Sequence, residues 1–122
     1  MTKYDLEERT AKFGEDVIAF AKKIPKNAVT LPLITQLVRA GTSAGANYCE
    51  ADNACSKRDF VHKIGICRKE SRESAHWLRM TARAEDAVKS DLWQHLVKES
   101  RELNLIFAAI INKCRKNDSA RG

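Results

Sequence analysis

Only two prolines and five glycines occur in 122 residues, and neither proline interrupts a long periodic segment. So few breakers exclude frequent interruption of helical runs. No apolar run approaches the roughly 20 residues that a membrane span requires. The opening MTKYDLEERT carries charges with no apolar stretch behind them and does not read as a secretory signal. The four cysteines (Cys49, Cys55, Cys67 and Cys114) contain no C-x-x-C pair. Their even number permits disulfides, but their places in or beside helical patterns read as buried thiols in a reducing cytoplasm. There is no internal repeat and no low-complexity segment.

What the chain does have is the stretch Arg39 to Glu50, RAGTSAGANYCE. Seven small residues, Ala40 to Ala46, run through it. Arg39, Ser43, Asn47 and Glu50 are spaced four, four and three apart, which places them on one side of a helix as a polar ladder. Two glycines inside a helix cost about 1 kcal/mol each relative to alanine. Close approach by a neighbouring backbone offsets that cost, so this stretch is expected to be the seam on which the other helices pack.

The periodicity predicts a single domain over residues 1–122 with helices at about 5–24, 31–53, 57–84 and 91–115, followed by a frayed tail over 116–122. Leu6, Phe13, Val17, Phe20 and Ile24 form the first apolar stripe. Asp5 with Glu8 has capping-box spacing, and Pro25 ends the helix. Thr30 reads as the second N-cap, with Pro32 in the first turn. Leu33, Leu37, Ala40, Ala44 and Ala51 make that helix's apolar side, beside Tyr48. Ser56 and Asp59 have N-cap and N3 spacing for the third helix, whose core face is Phe60, Ile64, Cys67, Ser71, Ser74, Leu78 and Thr81. That thin, partly polar face suits the small residues of the second helix. Ser90 caps the fourth helix, which carries Leu92, Leu96, Leu103, Ile106, Phe107, Ile110, Ile111 and Cys114. Four long helices on short turns predict an all-α, up-down-up-down antiparallel four-helix bundle. Trp77, Met80, Trp93, Phe107 and Ile111 exceed one core stripe, which implies association between subunits.

Several motif-like strings carry less than they seem to. Gly41-Thr42-Ser43-Ala44-Gly45 matches the G-x-S-x-G nucleophile elbow, but the elbow needs a strand before the serine, and Leu33 to Arg39 reads as helix. No Gly-Lys-Ser/Thr follows to make a phosphate-binding loop. His62, His76 and His95 have no cysteine or histidine pair at ligand spacing. Di-iron bundles use Glu-x-x-His twice, whereas here it occurs once, as Glu73-x-x-His76. Glu50, Glu70 and Glu73 therefore do not read as a catalytic or metal-binding set; Glu73 reads as paired to Arg39 or Arg72 in a partly buried network. No catalytic residue, metal or cofactor is expected, and the chain reads as a non-enzyme.

The basic signal is stronger. Net charge is +6 and the pI about 9.3, which raises the case for a polyanionic partner. From Lys57 to Arg83 there are eight lysines or arginines against three acids. Arg68, Arg72, Arg79 and Arg83 share one stripe, suited to phosphate contact by bidentate forks. Lys57, Arg58, Lys63, Lys113, Arg115 and Lys116 are accessory candidates. The competing reading is a solvated face paired to acids at helical spacing. With no recognition-helix pair and no aromatic stacking platform, reading of particular bases is not indicated.

The segment RAGTSAGANYCEADNACSKRDFVHKIGICRKESRESAHWLRM resembles the four-helix-bundle proteins encoded within intervening sequences of bacterial 23S ribosomal RNA genes. The accessory variability determinant of diversity-generating retroelements is related to them. The likeness is specific over about Leu33 to Thr81. It is carried by Arg39, Gly41, Ser43, Ala46, Asn47, Glu50, Ser56, Asp59, Phe60, Lys63, Ile64, Lys69, Glu70, Glu73, Trp77 and Leu78. It implies a left-handed up-down bundle, assembled as a ring of five subunits, with no established enzymatic activity and with basic surfaces that serve RNA in the retroelement members. The expected function is a cytoplasmic homo-oligomer that binds structured RNA through phosphate contacts. The alternative is an oligomeric protein-interaction scaffold, such as a reverse-transcriptase accessory factor, that binds no RNA itself.

Overall fold

The computed structural model describes the backbone of residues 3–121 and the side chains of residues 6–118. The chain forms α1 (Lys3–Lys22), α2 (Thr30–Asp52), α3 (Lys57–Ala84) and α4 (Asp91–Arg121), with a 3₁₀ turn at Asp86–Val88 before α4. Consecutive helices pack side by side, and α4 closes on α1 less extensively. Cross-helix pairs fix the directions. Thr10 faces Gly45 while Val17 faces Gly41, Arg39 meets Glu70 while Glu50 meets Lys63, and Lys57 meets Asp118 while Trp93 reaches Leu78. In each pair, residue numbers rise on one helix as they fall on the other. The fold is an all-α four-helix bundle of antiparallel neighbours.

Local chemistry sets the ends. After Lys22, the amides of Lys23 and Ile24 bond three residues back, to Phe20 and Ala21, and tighten the exit before Pro25. The cap of α2 differs from expectation. Asn27 Oδ1 accepts from the amides of Val29 and Thr30, while Thr30 lies inside the first turn. The Thr30 hydroxyl donates instead to the Pro25 carbonyl at 2.6 Å and accepts from the Asn27 amide. Ser56 caps α3 through the Asp59 amide, and Ser90 caps α4 through that of Trp93. The Asp5 side chain, expected to pair with Glu8, lies outside the described residues. The last helix does not stop at 115 but continues to Arg121. Residues 116–121 contain neither proline nor glycine, and Lys57 holds Asp118 at 2.6 Å.

The core follows the predicted stripes: Leu6, Phe13, Val17, Phe20 and Ile24 on α1, Leu37 and Tyr48 on α2, Ile64, Cys67 and Leu78 on α3, and Leu96, Leu103 and Phe107 on α4. Five buried hydroxyls are satisfied by their own helices. Thr10, Ser71, Ser74, Thr81 and Ser100 each donate to a carbonyl three or four residues earlier. These short polar side chains fill the core without leaving an orphan donor.

The two glycines of α2 face a neighbour other than the α3 face expected for its small residues. A Cβ on Gly41 would lie 2.8 Å from both γ-carbons of Val17, and one on Gly45 would lie 3.3 Å from the Thr10 carbonyl oxygen. From the other side, Gly14 faces Gly41 and Thr42. The glycine seam is therefore between α1 and α2, while Arg39 and Glu50 of α2 reach across to α3. None of these glycines has positive φ, so they serve space rather than backbone conformation.

Phe107 and Ile111, expected in part to serve association, are core residues. Trp93 is partly buried and donates its indole N–H to the Leu78 carbonyl at 2.9 Å. Among the described residues, the large apolar side chains that face solvent are Ile18, Val29, Leu31 and Leu105. The cysteines also depart from expectation. All four are free, and Cys49 and Cys55 are exposed rather than buried.

Candidate nucleic-acid interface

The long helix α3 carries the basic face because its opposite side is committed to the core. Residues 68, 72, 79 and 83 recur at fours and one seven, and all four arginines are exposed. Among the described residues, no carboxylate lies within ion-pairing distance of Arg68, Arg72, Arg79 or Arg83. Arg68 alone is held, by Nε donating to Asn104 Oδ1 across the α3/α4 contact at 3.2 Å. The expected alternative, a face neutralised by acids at helical spacing, is not how these side chains are arranged.

Two shallow clefts divide the row. The first has a volume of ≈ 430 Å³ and is lined by Gly65, Arg68, Lys69, Arg72, Glu73 and His76. The second, ≈ 380 Å³, is lined by Arg79, Ala82, Arg83, Asp86, Lys89 and Trp93. Lys69 and Lys89 thus join the arginines, although Lys89 is paired with Asp86 at 3.0 Å.

The accessory cations are not equivalent. Lys57 is paired with Asp118, and Lys63 with Glu50 at 2.9 Å. Arg58, Lys113, Arg115 and Lys116 are exposed. The Lys57–Asp118 pair brings the start of α3 beside the last turns of α4, so Arg58 and the 113–116 cluster occupy one end of the bundle. Arg79 and Arg83 lie toward the other.

The polar ladder is split between two roles. Arg39 reaches across to α3, donating to Glu70 at 2.9 Å and to Glu73 at 2.7 Å. Glu50 bonds Lys63 on the same helix pair. Ser43 donates to the Arg39 carbonyl and Asn47 to the Ser43 carbonyl, both within α2. Glu70 is buried, with Oε1 lacking a hydrogen-bond partner. Burial first, then the neighbouring Glu73, pushes the Glu70 carboxyl above the ordinary range against the pull of Arg39. The Arg39 hydrogen bond holds Glu73 below that range. The sequence pointed to Glu73 with Arg39 or Arg72 in a partly buried network; that Glu70 shares Arg39 and is the buried member appears only in the fold.

A second clasp had no sequence signal. Arg9 on α1 donates to both carboxylate oxygens of Glu99 on α4, at 2.8 and 2.6 Å, and to Glu102 at 3.0 Å. These partners are 90 and 93 residues apart. The Arg9 hydrogen bond holds the Glu99 carboxyl below its usual range.

The G-x-S-x-G string lies wholly inside α2, with no strand before Ser43. His62, His76 and His95 are exposed, and no group of three or more metal-ligating side chains forms among the described residues. No helix among the described residues is long and apolar enough to cross a membrane. A third cleft, ≈ 600 Å³, opens between α1 and α2, with Gly14, Thr42, Gly45 and Ala46 among its lining and Glu7, Glu8 and Glu15 along it. Its charge is opposite to that of the α3 clefts.

Antiparallel helical bundles with one long cationic outer face are the class that this fold and surface define. The chain belongs to the 23S rRNA-intervening sequence protein family, which matches residues 2–109. It is similar to a crystal structure of a protein of unknown function from the S23 ribosomal protein family of Bacteroides thetaiotaomicron VPI-5482. The two share 28% identity over 92% of this chain and 99% of that one, with a TM-score of 0.81. No curated protein matches the sequence.

Proposed function

We propose that the protein is a non-enzymatic, cytoplasmic RNA-binding bundle that holds structured RNA through its phosphates. The observation that carries this reading is the exposed row of Arg68, Arg72, Arg79 and Arg83 with no carboxylate partner among the described residues. A guanidinium free of internal ion pairs can give its full fork to a phosphate, and releasing condensed counterions from RNA favours the complex. Arg58, Lys113, Arg115 and Lys116 extend the contact at one end. Lys57 and Lys63 contribute less, because each already holds an acid. The RNA-related family name agrees with this reading. Filter binding to ribosomal RNA fragments at low salt tests it. Wild type should bind, and charge reversal at Arg72 and Arg79 should abolish most of the affinity; absence of binding by wild type refutes the proposal.

A second reading is an oligomeric scaffold, a ring of five by family resemblance, that recruits a protein such as a reverse transcriptase. The acid-flanked α1/α2 cleft and exposed Ile18 favour it. In that case charge reversal on α3 leaves partner binding nearly unchanged, and a light-scattering mass gives the subunit count.

A further inference from the structure

Four glycines lie inside helices, and three of them have a reason within the chain. Gly14, Gly41 and Gly45 each face another helix so closely that an added Cβ would meet atoms of that helix at 2.8 to 3.4 Å. Gly65 is different. A Cβ built there would meet nothing within 4 Å. It stands in the middle of α3, where glycine weakens a helix relative to alanine, and no packing inside the protein offsets that weakness.

Its surroundings say what does. Gly65, Arg68, Lys69 and Arg72 are spaced three, one and three apart, which is one face of a helix, and together they line the ≈ 430 Å³ cleft. The one acid in that lining, Glu73, is already engaged by Arg39 at 2.7 Å. The cleft is thus a cationic basin whose floor is bare backbone at a single point. Any longer side chain at 65 would project into the basin.

We infer that Gly65 is the position at which a phosphodiester backbone is brought down against α3, with Arg68, Lys69 and Arg72 closing around the phosphate. This rests on the RNA-binding reading above and adds to it the point of closest approach. The missing side chain lets the phosphate sit within reach of all three cations, where a side chain would hold it off. Three cations in the lining, with Glu73 already engaged by Arg39, favour a polyanion; the acids of a second copy's α1/α2 cleft are the competing occupant that the mass measurement below separates.

The test uses the full chain and a fluorescein-labelled RNA stem-loop, with affinity read by anisotropy at low salt. The variants are Gly65→Ala, Gly65→Leu and the double charge reversal Arg72→Glu/Arg79→Glu. Both Gly65 variants should fold, and Gly65→Ala should melt higher than wild type because open space receives its methyl group. Gly65→Leu should weaken RNA binding by about tenfold, the loss of one charge-assisted contact, with an unchanged light-scattering mass. If Gly65→Leu binds like wild type while the charge reversal does not, this inference is wrong and the RNA reading stands. If wild type does not bind the stem-loop, both fall. If Gly65→Leu lowers the mass, a second copy covers Gly65 and the phosphate assignment is overturned.

Discussion

Replacing Gly41 by alanine adds one methyl group at the tightest point of the bundle. Its Cβ would lie 2.8 Å from both γ-carbons of Val17 and 3.0 Å from its Cβ. Val17 cannot turn aside, because it is fully buried and a β-branched side chain in a helix keeps essentially one rotamer. The helices must therefore shift, at an overpacking cost of about 1–3 kcal/mol. Alanine's better helix propensity returns about 1 kcal/mol, leaving a net loss of about 1 kcal/mol. Gly65→Ala makes the same chemical change with nothing within 4 Å and should gain up to about 1 kcal/mol. The two variants should differ by about 2 kcal/mol, or roughly 6–10 °C in Tm for a chain of this length. Urea and thermal unfolding measure both. A double-mutant cycle with Val17→Ala, which alone costs about 2 kcal/mol, should show a favourable coupling of about 1 kcal/mol, since the shorter side chain makes room for the methyl. If Gly41→Ala matches or exceeds Gly65→Ala in stability, the close-approach account of the seam is wrong.

Acid should weaken the α1/α4 closure. Glu99 is held below its ordinary range by Arg9, so its contribution is present above the unfolded carboxylate pKa and is lost as pH falls through the lower folded value. Glu99→Gln should cost about 1–2 kcal/mol at neutral pH for this partly exposed clasp and flatten the pH dependence of urea unfolding in acid. Glu70 has the opposite sign: its raised carboxyl makes stability fall as pH rises through its folded pKa. Glu70→Gln should remove that decline in pH-dependent melts, whereas Arg39→Ala, which leaves Glu70 without its cation, should cost about 2 kcal/mol. Thiol reactivity should divide the cysteines. Burial pushes the Cys67 thiol up to about 12, so alkylation followed by mass spectrometry should label Cys49 and Cys55 in the native protein and Cys67 only on unfolding.

How legible the bundle was follows from the range of the forces involved. Apolar periodicity is local, so Leu6 to Ile24 on α1 and Ile64 to Leu78 on α3 disclosed their core faces directly. Capping is local too, which is why Ser56 and Ser90 were recognisable. Thr30 misled because Asn27, three residues earlier, caps the turn through the amides of Val29 and Thr30, while the Thr30 hydroxyl turns back to the Pro25 carbonyl. The glycines of α2 announced a close neighbour without saying which. Gly14 on α1 was the sign that α1 is that neighbour, since it faces Gly41 and Thr42. Partners far apart in sequence, such as Arg9 and Glu99, leave no local trace at all. For the basic face, spacing identified the shared stripe of Arg68, Arg72, Arg79 and Arg83. Only the folded arrangement revealed that, among the described residues, acids engage Lys57 and Lys63 and none pairs with these arginines.

The salt dependence of RNA affinity probes the central claim most directly. If each of the four α3 arginines displaces about one condensed counterion, log K against log salt concentration should fall with a slope of about −3 to −4. The slope should become shallower by about one for each arginine replaced by glutamine. A flat line, or a slope that ignores those replacements, would contradict the account.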